Sequence, residues 1–212
     1  MAARQKNSGW YWEDEWCQVV PFWQLHLYSQ IEGNKDFYKD LFEKIRTTPD
    51  KDSKKPGEIQ LEFTVMASEA LGLDLTEFFE KWGFFAEVDY KLTVYGETAQ
   101  FTVTKEKADE TKDRIKALGL RKPSKRIEYI CDDNKSLYES DSSVIAGSAS
   151  RTGQNFRMIN WKNVAAYEVW SDDTLLFISP AGTFTMPAQF VVGTKVQVFA
   201  ISVSGQKTEV TF

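Results

Sequence analysis

Apolar positions recur at helical spacing through the first part of the chain. Behind Pro21, a residue suited to the first turn of a helix, Trp23, Leu27 and Ile31 fall on one face, and Gly33 supplies a left-handed stop. A second helix opens near Asp36, carries Phe37, Leu41 and Ile45, and ends before Pro49. The charged stretch from Asp50 to Gly57 reads as a surface loop. A third helix presents Ile59, Phe63, Met66 and Ala70 on one face ahead of Gly72. Asp74 and Glu77 stand at capping-box spacing at the start of a short helix, Leu75 to Trp82, that Gly83 closes. Residues 1–87 are thus expected to form a small bundle of four short helices.

The period changes at Val88. Val88, Tyr90, Leu92 and Val94 alternate, Gly96 turns the chain, and Phe101 and Val103 alternate again, as in a hairpin. A charged helix follows from Lys105 to Leu118, with Thr104 as its cap and Gly119 as its stop. Arg126 to Cys131 reads as another strand, so residues 88–135 predict a short α+β connecting segment. From Asp132 to Gln154 the chain is rich in Ser, Asp, Asn and Gly, as in a linker or the irregular first strands of a new unit. Short strands then recur at Ala165–Trp170, Thr174–Ile178, Lys195–Val203 and Lys207–Phe212, separated by turn residues. That spacing predicts an immunoglobulin- or fibronectin-like β-sandwich over residues 136–212, and an α+β fold of several units for the whole.

Composition narrows the function. The 212 residues carry a net charge of −5, and the only local basic run is Arg121, Lys122, Lys125 and Arg126, which argues against a nucleic-acid surface. No stretch approaches the roughly 20 apolar residues that span a bilayer. Met1 to Gly9 are polar and show no signal peptide in this chain. Aromatic residues reach 14%, with seven Trp, an excess that suits deep cores and also the stacking of rings on sugars.

Candidate chemistry is sparse. His26 is the sole histidine, whereas a zinc peptidase of the His-Glu-x-x-His kind needs two imidazoles a helical turn apart with a glutamate base. Nucleophile elbows, phosphate loops and dinucleotide fingerprints are also missing from the sequence. The constellation that most invites a site is Glu13-Asp14-Glu15 among Trp10, Tyr11, Trp12 and Trp16, where carboxylates flanked by rings have the chemistry of a sugar site. The plainer reading is a helix start with its acids near the positive end and its rings in the core. Candidate binding residues are therefore Trp10, Trp12, Glu13, Asp14 and Trp16, with Trp161 and Trp170 on the sandwich. Alternation puts Tyr167 and Val169 on one face of their strand and Glu168 and Trp170 on the other. No residue of the chain is assigned to catalysis or to a metal.

The runs Val19-Val20-Pro21-Phe22-Trp23-Gln24-Leu25-His26-Leu27-Tyr28, Asp36-Phe37-Tyr38-Lys39-Asp40-Leu41 and Asp74-Leu75-Thr76-Glu77-Phe78-Phe79-Glu80-Lys81-Trp82-Gly83-Phe84 resemble, in order and spacing, the region downstream of the catalytic site in enhancin-like zinc metallopeptidases of family M60. The Leu-Thr-x-Phe-Phe-x-Lys-Trp-Gly element is the most specific part. Asn163 to Val169 and Thr183 to Pro187 are similar to the immunoglobulin-like module that follows in bacterial members. The resemblance implies a secreted or cell-surface protein acting on mucin-like glycoproteins, with zinc in the intact parent enzyme and none in this chain. It implies that residues 10–85 are the helical back half of a peptidase domain, partnered by an upstream catalytic half. Because the signature motif is missing, the expectation is a chain that is not an enzyme alone: a non-catalytic C-terminal scaffold and accessory module. The alternative is a free-standing module that binds glycans or glycoproteins.

Overall fold

The computed structural model describes residues 15–49, 54–94, 96–140, 142–187 and 196–212, without the side chains of residues 15–18, 92, 94 and 97. The chain divides into two compact units, Met1–Pro123 and Ser124–Phe212.

In the first unit α1 (Glu15–Ile31), α2 (Phe37–Thr47), α3 (Pro56–Leu71) and α4 (Thr76–Lys81) precede a hairpin of β1 (Val88–Val94) and β2 (Glu97–Val103), then α5 (Lys105–Ala117). The hairpin pairs in register about the left-handed Gly96, and the Thr104 side chain caps α5 by accepting from the Lys107 amide at 3.3 Å. Both features follow the sequence expectation. The central element is α3, which packs against α2, β2 and α5. It therefore buries Leu61, Thr64, Val65, Met66, Ala67, Ser68 and Leu71, more than one helical stripe. The expected face fails at its first position, since Ile59 is exposed. Buried hydroxyls on α3 are satisfied locally: Thr64 donates to the Leu61 carbonyl and Ser68 to that of Thr64.

Gly57, in the first turn of α3, lies hard against β2. A Cβ there would stand 2.0 Å from the Thr102 carbonyl oxygen, so the glycine is what lets helix and strand meet. Leu25, Tyr28, Leu41, Leu75 and Phe79 are fully buried in this unit, and Phe79 packs on Phe84 with ring centroids 4.9 Å apart. The Trp82 indole donates to Gln24 at 2.9 Å, tying the end of α4 to α1.

Two local expectations need correction. Pro21 sits inside α1 and not in its first turn, so that helix begins upstream of it. Asp74 bonds the Thr76 amide at 3.0 Å as a turn residue, while Leu75 is the residue that precedes α4; the reciprocal box with Glu77 is not formed. The box chemistry appears at α3 instead, where Glu58 accepts from the Lys55 amide at 3.1 Å.

The second unit opens with two 3-10 turns, Ile127–Tyr129 and Lys135–Glu139, and continues through β3 (Ser148–Thr152), β4 (Asn155–Ile159), β5 (Ala166–Ser171), β6 (Thr174–Ser179), β7 (Thr183–Thr185), β8 (Val196–Ile201) and β9 (Lys207–Val210). The antiparallel strands form a three-stranded sheet, β3-β4-β7, and a four-stranded sheet, β6-β5-β8-β9. Phe156 and Met158 of β4 and Phe184 of β7 share a core with Tyr167, Val169, Val198, Ala200 and Val210 of the other sheet. Tyr167 and Val169 share one face of β5, as alternation predicts, and it is the face turned to this core. The strand expected at Arg126–Cys131 is a 3-10 turn: the Tyr129 and Ile130 amides donate to carbonyls three residues back, and the Arg126 amide to Val203. The stretch expected as a linker or as irregular first strands holds the second turn and all of β3.

Candidate functional site

The sequence candidates come first. Trp10, Trp12, Glu13 and Asp14 lie outside the described residues, and Trp16 is placed on α1 only by its backbone. Trp161 is half-buried, meets Tyr167 edge-on at 6.4 Å and donates its indole N–H to the Ser148 carbonyl at 3.0 Å. Trp170 lies on the opposite face of the four-stranded sheet, its indole bonded to Glu168 at 2.8 Å and its ring beneath the Lys207 ammonium at 4.2 Å. The two rings are therefore not brought together.

Sequence reasoning missed an aromatic ledge on α1 and α2. Trp23 lies over the His26 ring with centroids 4.9 Å apart, His26 stacks on Tyr38 at 5.9 Å, and Tyr38 on Phe42 at 5.6 Å. Trp23 is 46% exposed and Phe42 63%, with Val19 and Val20 also exposed on α1. The row arises from i, i+3 spacing on α1 and i, i+4 spacing on α2, which put each pair on one helix face. The signal is present in the sequence, but helical spacing groups Trp23 with Leu27 and does not say which of them is covered. His26 is held by Gln30, whose amide nitrogen lies 2.8 Å from its Nε2. The Tyr38 hydroxyl donates to the Phe22 carbonyl at 2.5 Å, and burial pushes its pKa up to about 12. This surface has the chemistry to hold apolar groups or the faces of sugar rings.

Two hollows flank the helices. An apolar cleft of about 90 Å³ lies among Ile45, Ile59, Phe63 and Met66, with Lys54 and Glu62 also lining it. A shallow polar groove between α4 and α5 is occupied by paired charges, Lys112 with Glu80 at 2.8 Å and Lys81 with Glu77 at 3.0 Å. Among the described residues no group of three or more His, Cys, Asp or Glu is placed to hold a metal ion. These residues do not fit a zinc centre.

Comparison with known proteins gives this geometry its context. Residues 1–83 match the family model of peptidase M60, enhancin and enhancin-like. No curated protein matches the chain. Among solved structures, a metallopeptidase from Bacteroides thetaiotaomicron is 26% identical and superposes with a TM-score of 0.72, over 93% of this chain and 37% of that one. A metallopeptidase in complex with Tn antigen is 24% identical, with a TM-score of 0.71 over 93% of this chain and 41% of that one. The M60 catalytic domain from Clostridium perfringens ZmpC, in complex with the sialyl T antigen, is 21% identical with a TM-score of 0.58, over 92% of this chain and 35% of that one. The chain thus spans well under half the length of each.

These matches overturn the expected function. A non-catalytic scaffold with an accessory module would match catalytic domains in part; here more than nine-tenths of the chain, both units included, follows metallopeptidase structures. The matches point to a peptidase domain, and the expectation of a non-catalytic chain is corrected. The free-standing glycan-binding module gives way for the same reason. Among the described residues no helix is long and apolar enough to cross a membrane.

Proposed function

We propose that these residues are part of a zinc-dependent peptidase domain of the M60 kind that cleaves glycoproteins at the cell surface or after secretion. The observation that carries this reading is the superposition on a metallopeptidase over 93% of the chain at 26% identity, together with the family match at residues 1–83. The glycan complexes of two matched structures support an O-glycosylated substrate of the mucin type. The zinc of this reading would be held by residues other than the described ones, among which no group of three His, Cys, Asp or Glu is placed to bind a metal ion. Within the domain, the α1–α2 ledge is the surface best suited to meet an apolar or sugar-bearing neighbour. The two facing sheets of the second unit support an immunoglobulin-like reading of that unit.

The test is cleavage of matched peptides, with and without GalNAc on serine or threonine, by the full-length protein carrying these residues. Chelation and zinc restoration are run alongside. Cleavage that needs the sugar and is abolished by chelator is the expected result. A full-length protein that cleaves neither peptide, or cleaves with undiminished rate under chelation, overturns the proposal.

A further inference from the structure

The second unit begins with residues that do not belong to either sheet. Residues 126–138 lie against the face of β5 and β8 turned away from the shared core; they bury Ile127, Ile130 and Tyr138 and reach that face through hydrogen bonds. The Arg126 amide donates to the Val203 carbonyl at 2.8 Å. The Asn134 side-chain amide donates to the Tyr129 carbonyl at 2.8 Å and to that of Ala165 at 2.9 Å, while its oxygen accepts from the Cys131 amide. Tyr138, fully buried, donates to the Arg126 carbonyl at 2.7 Å and so closes the two ends of the segment on each other.

One tie reaches a buried charge. Glu168 of β5 is buried, with only 5% of its side chain exposed, yet it carries no unmet charge. Its carboxylate accepts from the Tyr129 hydroxyl, from the Trp170 indole at 2.8 Å and from the Lys207 ammonium at 2.7 Å. Lys207 in turn lies over the rings of Trp170 and Phe199. Two of the three donors come from the sheet itself, and only Tyr129 comes from the segment. A buried carboxylate left short of donors is costly, so the sheet holds a site that pulls the Tyr129 hydroxyl back whenever it leaves.

We propose that residues 126–138 form a strap latched to the sheet by Glu168, able to open as a unit while the sandwich stays folded. The sandwich core of Phe156, Tyr167, Val169, Val198 and Ala200 lies on the other face of β5 and β8 and does not depend on the strap for its packing.

Hydrogen exchange read by mass spectrometry tests this on the full chain, comparing wild type with Glu168→Gln and Tyr129→Phe. Peptides covering 126–138 are expected to exchange about tenfold faster in Glu168→Gln and about threefold faster in Tyr129→Phe. Peptides of β5 and β8 are expected to keep their protection in both. Unchanged exchange of the strap in Tyr129→Phe overturns the latch, because that variant removes the strap's own bond and leaves Glu168, Trp170 and Lys207 in place. Equal acceleration of strap and sheet in both variants overturns it too, since the segment is then an inseparable part of the sandwich.

Discussion

Gly57→Ala should destabilise the first unit even though alanine is the better helix former. Gly57 is the second residue of α3, where the helix lies on the hairpin. The added methyl would sit 2.0 Å from the Thr102 oxygen and 2.7 Å from its carbonyl carbon, where ordinary contact begins at 3.4 Å. The obstacle is backbone within a paired strand, so no side chain can swing aside, and the helix start must retreat by roughly 1.4 Å. That retreat loosens Leu61 and Val65, both buried on α3. Overpacking of this kind costs about 1–3 kcal/mol, and more when backbone must move, against a propensity gain of about 1 kcal/mol at most. A net loss of about 1–2 kcal/mol or more is expected, read as a lower urea midpoint of the first unit by far-ultraviolet circular dichroism. Gly33→Ala serves as a control: its φ of 78° imposes left-handed strain, but nothing lies within 4 Å of the new methyl. An unchanged or raised midpoint for Gly57→Ala would refute the close approach of α3 to β2.

Other outcomes follow from the same contacts. Trp82→Phe removes the indole donor to the buried Gln24 and should cost the first unit about 1 kcal/mol in urea denaturation, with the fold retained by circular dichroism. Asn134→Ala breaks bonds to Tyr129, Ala165 and Cys131 that hold the strap, and should lower its local opening free energy by about 2–3 kcal/mol, read as faster hydrogen exchange of residues 126–138. Burial raises Tyr38 and Tyr167 to a pKa of about 12, above the value of about 10 expected when unfolded. Their neutral forms are favoured by folding, so this stabilisation is complete below pH 10 and lost as pH rises from about 10 to 12. Denaturation midpoints across that window should fall, and Tyr38→Phe and Tyr167→Phe should each flatten part of the slope.

Burial and donors act oppositely on Glu168. Removal from water pushes its carboxyl up, yet the bonds from Lys207, Tyr129 and Trp170, with the Lys207 charge, together outweigh this and hold the pKa below the usual carboxylate value. With a depressed folded pKa, its contribution is present above the unfolded value and lost as pH falls through the folded one. Strap protection in hydrogen exchange should therefore persist through mildly acidic pH and fail only below the usual carboxylate range.

Much of the local structure was determined by the sequence alone. Gly33, Gly72, Gly83 and Gly119 all take the left-handed conformation that ends a helix, Gly96 turns the hairpin, and Thr104 caps α5. These features depend on residues a few positions apart, which is why spacing reveals them. The Leu-Thr-x-Phe-Phe-x-Lys-Trp-Gly element carried the resemblance to the peptidases and proves to be a packed corner, with Phe78 and Phe79 buried and Trp82 tied to Gln24. Tertiary structure decided the rest. Ile127, Tyr129 and Cys131 alternate as a strand would, yet their segment closes on itself through amides donating three residues back, and the positions it meets, Glu168 and Val203, lie far along the chain. Trp23 shares the helical spacing of Leu27 but is left exposed to stack with His26, since which face of α1 is covered depends on where α2 and α4 pack. The likeness to metallopeptidases lay beyond local spacing for the same reason: a zinc motif is a local pattern that this sequence lacks, whereas the superposition follows folded elements assembled from residues far apart in the chain.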